Sequence, residues 1–252
     1  MAGHSKWATT KRKKAGVDAA RSKVFSRIIR ELTIAARDGG GDPAGNPRLS
    51  LAIDNAKSNN MPKDNIERAI KKGTGELGIG QSFEEIIYEG YGPGGVAYFV
   101  EAATDNSTRT VGEVRHIFTR FGGNLGTSGS VAYLFDQKGI ISIPADGIDR
   151  EALMLEAIEA GAEDFSDDDP DMLEVSTRRE DLFAVRNYLE ENGYAIESAE
   201  LQWIPKTEVK VDESTALTNF KLMSNLEDND DVSNVFSNMK MDEETLAVAE
   251  QL

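Results

Sequence analysis

The chain has 252 residues, 39% of them hydrophobic and 29% charged, and no cysteine. That length suits two or three domains, and the composition is that of a folded water-soluble protein; disulfides, thiolate nucleophiles and Cys-based zinc sites are excluded together. The formal net charge is −16, yet residues 1–75 carry 16 Lys/Arg against 7 Asp/Glu, which leaves the remainder at −25.

The positive charge is densest at the start. Up to Arg30 there are nine basic residues, Lys6, Lys11, Arg12, Lys13, Lys14, Arg21, Lys23, Arg27 and Arg30, and one acid, Asp18. A basic stretch on an acidic protein points to a polyanionic partner. No apolar run follows it, so it is not a secretory signal, although its Arg-rich, acid-poor character is shared with mitochondrial transit segments. No run is long and apolar enough to span a bilayer. The expectation is a cytoplasmic protein with no membrane partner.

Periodicity near 3.6 predicts a helix over 18–37, with Phe25, Ile28, Ile29, Leu32 and Ala36 inward and Lys23, Arg27, Arg30 and Arg37 on another face. Asn46-Pro47 starts a second helix with Leu49, Ala52, Ile53 and Ala56 inward. A third begins near Pro62, buries Ile66, Ala69 and Ile70, exposes Lys63, Arg68, Lys71 and Lys72, and ends at Gly73 as a C′ residue. Residues 73–82 read as a linker. Strands 86–91 and 96–103 then flank the turn Gly92–Gly95, a helix spans 107–121, and 131–136 reads as another strand.

Residues 137–204 read as a unit of their own. It has a strand at 139–143, a helix at 149–160 with Met154, Ala157 and Ile158 inward, a strand at 172–176, a helix at 180–192 opened by a Thr177-x-x-Glu180 capping box, and a strand at 195–202. The order fits a ferredoxin-like βαββαβ fold. Strand 206–211, helix 214–226 and strand 232–239 complete a second such unit with 77–136, and 242–252 is a polar tail. The expectation is an α/β (α+β) protein of three domains: a basic helical nucleic-acid-binding domain at 1–76, a discontinuous ferredoxin-like domain at 77–136 and 205–242, and an acidic ferredoxin-like domain inserted at 137–204.

Clustered cations, with Trp7 and His4 among them, favour nucleic-acid contact over a merely solvated helix face. Trp7 suits either base stacking or packing onto the helices. No zinc-finger, leucine-zipper or RNP1 pattern is present, so backbone and shape recognition are expected rather than base readout. Gly73-x-Gly75-x-x-Gly78 follows a helix where a dinucleotide fingerprint needs a strand, and the Gly92–Gly95 region lacks the Gly-Lys-Ser/Thr of a P-loop. Asp167, Asp169 and Asp171 lack the glycine and distal Glu of a calcium loop. The two histidines, His4 and His116, pair with no nucleophile by motif. Catalysis, metals and cofactors are not expected. Asn106-Ser107-Thr108-Arg109-Thr110 opens a helix: N-capping is the preferred reading, and an anion site of Arg109, Arg115 and the helix N-terminus is the alternative.

Several stretches together resemble the YebC/PmpR family. They are Gly3–Trp7, Met61–Lys71 (MPKDNIERAIK), Tyr88–Gly95 (YEGYGPGG), Thr104–Thr110, Gly122–Gly126 and Gly129–Tyr133. The resemblance runs essentially end to end. It implies a helical N-terminal domain with two ferredoxin-like domains, and no enzymatic activity. The family is described as probable DNA-binding transcriptional regulators; its mitochondrial relatives are translational activators, and bacterial members are linked to ribosome function and the synthesis of proline-rich stretches. Where members commonly read Ala-Asn-Ile-Lys-His-Arg-Lys, this chain has Ala8-Thr9-Thr10-Lys11-Arg12-Lys13-Lys14. Charge is kept and a histidine is lost.

The sequence therefore predicts a non-enzymatic nucleic-acid-binding regulator, DNA-binding and transcriptional, with a ribosome-associated translation factor on ribosomal RNA or tRNA as the alternative. The nucleic-acid candidates are Lys6, Trp7, Lys11, Arg12, Lys13, Lys14, Arg21, Lys23, Arg27, Arg30, Lys63, Arg68, Lys71 and Lys72. A second surface is expected at Tyr88, Glu89, Tyr91, Gly92, Asn106, Arg109, Thr110, Arg115 and His116, and a protein partner at the acidic domains.

Overall fold

A computed structural model describes residues 17–78 and 83–249. The fold is mixed α/β, with an N-terminal helical region and two four-stranded sheets. The described residues divide into two compact units. One comprises residues 24–78 and 137–202; the other comprises 83–136 and 203–249, with the start of the first helix up to Lys23.

In the first unit, α1 (Val17–Gly39), α2 (Pro47–Ser58) and α3 (Lys63–Gly73) enclose a small core. Ile28, Leu32, Ala35 and Ala36 of α1 meet Leu49, Ala52 and Ala56 of α2 and Ile66 and Ala69 of α3. Asn46 caps α2 as expected, accepting from the Leu49 N–H at 3.1 Å, while its amide donates to the Ala35 carbonyl at 2.8 Å. One side chain thus starts α2 and ties it to α1. Gly73 proves to be the last helical residue, with Thr74 as C-cap. A methyl group at Gly73 would run into the Thr33 carbonyl and Ala36. Close approach of α3 to α1, rather than a left-handed C′ geometry, demands glycine there.

The same unit holds most of β4 (Phe135–Pro144), α5 (Arg150–Glu159), β5 (Asp164–Ser166), β6 (Met172–Arg178), α6 (Leu182–Glu191) and most of β7 (Ser198–Pro205); Phe135, Asp136 and residues 203–205 belong to the second unit. The sheet order is β5-β6-β4-β7, the strand arrangement of a βαββαβ unit. Ile141, Ile143, Leu173 and Val175 pack on Leu153 and Ala157 of α5 and on Leu182, Val185 and Leu189 of α6. Three local readings are corrected. Residues 131–136 are not one strand: Ala132–Leu134 is a 3₁₀ turn, and Phe135 begins β4. Thr177 is no cap; it lies buried in β6, and Asp181 precedes α6 without a side-chain cap bond. Met154 and Ile158 point outward, and it is Leu153 and Ala157 that are buried.

The second unit contains β1 (Glu84–Tyr91), a 3₁₀ turn at Pro93–Gly95, β2 (Ala97–Thr104), α4 (Ser107–Arg120), β3 (Asn124–Leu125), α7 (Glu213–Glu227), β8 (Val232–Ser237) and α8 (Glu243–Ala249). Its antiparallel sheet has the order β3-β1-β2-β8. The strand expected at 206–211 forms only an isolated bridge, Val209 to Met239. The C-terminal stretch is more than a polar tail, because Val248 and Ala249 of α8 are buried in the core.

Both faces of this sheet are covered. Tyr98, Val100 and Ala102 face Val114 and Phe118 of α4 and Phe220, Met223 and Leu226 of α7. Ala97 and Phe99 face Val131, Phe135 and Trp203. The β1–β2 turn is locked from inside: Asn219, fully buried, donates to the Pro93 carbonyl at 3.0 Å and accepts from the Tyr98 hydroxyl at 2.9 Å.

Two glycines of that turn separate steric from conformational need. A Cβ at Gly92 would sit 2.5 Å from Asn219 Oδ1 and 2.7 Å from the Tyr98 ring, whereas Gly95 has φ +76° and open space around it. Gly92→Ala is expected to cost about 2–3 kcal/mol by overpacking. Gly95→Ala is expected to cost about 1 kcal/mol, the left-handed penalty alone. Urea unfolding of the two variants against wild type measures both.

Candidate nucleic-acid interface

The cationic candidates divide by what can be seen of them. Lys6, Trp7, Lys11, Arg12, Lys13 and Lys14 lie outside the described residues. Arg21 lies on α1, which fixes its backbone. Lys23, Arg27 and Arg30 follow on the same helix.

The 100° step of an α-helix puts Lys23, Arg27 and Arg30 opposite the Ile28–Leu32–Ala35 stripe that packs on α2 and α3. These cations are half-buried rather than loose. Lys23 reaches Asp228 at 3.3 Å, and Arg27 and Arg30 each interact with neighbouring groups. The α3 cations are more open. Lys63, Arg68 and Lys71 are exposed and Lys72 is half-buried. Lys63 makes one loose pair with Glu67 at 3.6 Å, and Arg68 and Lys71 make no ion pair among the described residues. Arg48 is different: it is held by Glu31 at 2.8 Å, so its charge is matched on the spot. Of the basic residues on α1 to α3, Arg68 and Lys71 are the exposed ones without an ion pair among the described residues.

The second expected surface is built differently. Glu89 is buried and works for the fold. Its two carboxylate oxygens accept the N–H groups of Gly129, Val131 and Ala132 at 2.6, 2.7 and 2.8 Å. That bond set pins the 126–132 loop to β1. Gly92 is buried and serves the turn. Tyr88 is buried too, and its hydroxyl has no hydrogen-bond partner among the described residues. Burial, with the nearby Asp231 charge, raises its pKa.

At the start of α4 the capping reading holds: the Asn106 side chain accepts from the Arg109 N–H at 3.1 Å. Of the cations in the anion-site alternative, Arg109 is held by carboxylates. Arg109 donates to Asp231 at 2.6 Å and to Asp105 at 3.0 Å. Its pKa is raised by those bonds, Asp231 first. Buried Thr110 and Thr104 also donate to Asp231, at 2.7 and 3.1 Å. Burial alone would raise the Asp231 pKa; the bonds from Arg109, Thr110 and Thr104 outweigh it, and the pKa is lowered. Arg115 and His116 remain exposed further along α4.

Two contributors were missed in the sequence. Asp231 is 122 residues from Arg109, and no local pattern couples them. Tyr133 is 64% exposed and lies beside Tyr91, whose phenol donates to the Ser130 carbonyl at 3.0 Å. The Tyr91 pKa is raised, first by its hydrogen bond with Tyr133, then by burial. Tyr133 was read as part of a strand, which hid it as a surface aromatic. Among the described residues no cluster of three or more His, Asp or Glu could hold a metal ion, and no helix is long and apolar enough to cross a membrane.

The Asp231 cluster generates a prediction with a definite sign. A carboxylate with a lowered folded pKa stabilises the fold above the ordinary aspartate range, about 3.9, and loses that contribution as pH falls through its folded value. Asp231→Asn should cost about 2 kcal/mol near neutral pH, since two buried hydroxyls lose a charged acceptor while half-exposed Arg109 is rehydrated. The gap between variant and wild type should shrink as pH is lowered below about 4. Chemical denaturation at pH 7 and at lower pH reads it; a gap independent of pH would refute the assignment.

Comparison with known proteins gives consistent matches. Residues 5–76 match the model described as the TACO1/YebC protein N-terminal domain, and residues 83–239 match the TACO1/YebC second and third domain. A "probable transcriptional regulatory protein" of Persephonella marina is 56% identical, over 98% of each chain. One of the same description from Geobacter sulfurreducens is 55% identical, again over 98% of each. Among solved structures, a conserved hypothetical protein of Aquifex aeolicus, Aq1575, superposes with a TM-score of 0.85 at 52% identity, covering 91% of this chain and 94% of that one.

Proposed function

The chain belongs to the TACO1/YebC family, and we propose that it is a non-enzymatic regulator that binds DNA through its N-terminal helical domain. The observation that carries this is the distribution of charge. A protein of net −16 gathers 16 Lys/Arg against 7 Asp/Glu in residues 1–75, and the exposed cations Arg68 and Lys71 stand there without acidic partners among the described residues. Such a surface binds phosphates by releasing counterions, with little dependence on base sequence. The basic run Lys11–Lys14 extends it in sequence. The relatives' description as probable transcriptional regulatory proteins favours DNA as the target.

A second reading is RNA on the ribosome, and one observation favours it. Tyr133 is an exposed aromatic beside a glycine-rich loop, the kind of platform on which an unpaired base stacks. Arg109 is engaged by Asp105 and Asp231. Arg115 of α4 is an exposed cation of that side, with the exposed His116 imidazole next to it in sequence.

Gel shifts on duplex DNA at graded salt, beside co-sedimentation with ribosomes, test the proposal. The Arg68→Glu/Lys71→Glu double variant is expected to bind all duplexes about tenfold or more weakly, and to lower the slope of log K against log salt by roughly two. Its melting temperature should match wild type, because neither side chain is buried. Unchanged affinity at every salt concentration would remove α3 from the interface. Ribosome co-migration lost in Tyr133→Ala, with no duplex binding by wild type, would move the function to RNA.

A further inference from the structure

Helix α5 carries an exposed apolar row that the fold does not use. Met154, Leu155 and Ile158 are 37%, 64% and 57% exposed. They are three of the six large hydrophobic side chains exposed among the described residues, and the other three, Leu77, Ile87 and Tyr133, lie elsewhere in the chain. At 100° per residue the three occupy one arc of the helix, away from Leu153 and Ala157, which pack into the sheet core. An isolated exposed leucine needs no explanation; a contiguous row on one helix marks an interaction surface.

Its surroundings specify the occupant. Residues 146–171 contain eleven Asp or Glu and a single Arg. Glu151, one turn before Leu155 and Met154, and Glu159, directly after Ile158, are both exposed. The one cation, Arg150, is already drawn to Asp167 at 3.4 Å. A second copy of this chain would set the same carboxylates against one another, which disfavours an isologous dimer. The complement is an apolar ridge flanked by Lys and Arg.

We propose that the outer face of α5 docks a basic amphipathic helix of a partner protein. Leucine-like side chains of the partner enter between Met154, Leu155 and Ile158, and its cations meet Glu151 and Glu159 at the rim. The rim charges steer encounter and exclude acidic partners, while the apolar row supplies the affinity. This surface takes a protein and leaves the basic helices to nucleic acid, so it stands independently of the DNA or RNA assignment.

A fluorescent synthetic Leu/Lys amphipathic helix is the probe, titrated with the full chain and followed by anisotropy. Wild type should bind it, and Leu155→Ser/Ile158→Ser should weaken binding about tenfold or more with an unchanged thermal melt. Glu151→Lys/Glu159→Lys should weaken it also, most at low salt; this variant keeps the test decisive should the serine pair fail to fold. Equal binding by the serine variant, equal binding of a lysine peptide without leucine, or tighter binding at this face of a peptide of residues 1–16 would each overturn the proposal. So would a wild-type dimer in sedimentation that the serine variant abolishes.

Discussion

Strand β2 is the element on which the second unit depends, because it is buried on both faces. From Ala97 to Thr104 only Glu101 is less than fully buried. A strand so placed cannot leave polar groups to water, so each must find a partner from elsewhere in the chain. The Ala97 N–H donates to Asn238 at 2.7 Å, and Tyr98 donates to Asn219. Glu101 accepts from the Trp203 indole at 2.8 Å and from Asn234 at 3.0 Å. Thr104 donates to Asp231. All of these partners come from residues after 202, so the sheet is complete only when the C-terminal segment returns. The same requirement draws Arg109 into the frame, since it neutralises the carboxylate that Thr104 and Thr110 need.

The helices were the legible part of the fold. Apolar positions recurring with a period near 3.6 set α1, α2, α3, α4 and α7 to within a residue or two, and Asn46 and Asn106 cap as their sequence context demands. What failed was information that is not local. Val131-Ala132-Tyr133 has strand composition, yet Glu89, some forty residues away, takes the backbone N–H groups a strand would need. Thr177 satisfies a capping motif by spacing, but pairing of Gly139 with Thr177 commits it to β6. In α5 both Ala157 and Ile158 fit an apolar face; packing on the sheet selects the helix side carrying Leu153 and Ala157.

The candidate surfaces divide in the same way. A density of cations is a property of composition, and it was readable before any coordinates. Which cations are spoken for is a property of the fold. Arg48 has Glu31, and Arg109 has Asp105 and Asp231. Arg68 and Lys71 stay exposed because α3 turns Ile66 and Ala69 inward, and neither forms an ion pair among the described residues. Glu89 belongs with the structural residues for a related reason: a buried carboxylate is tolerable only where several N–H dipoles converge on it, and three do.

Charge segregation carries a further consequence. The basic residues 1–75, at +9, and the acidic remainder, at −25, act on a polyanion with opposite sign. Acidic segments of this kind disfavour diffuse contacts with a polyanion. They also create the opposite opportunity, since carboxylates around the bare Leu155 and Ile158 of α5 attract what the basic helices reject. The two charge fields would thus admit different classes of partner without competing for the same surface. That is the arrangement a regulator needs if it is to join a nucleic acid to a basic protein.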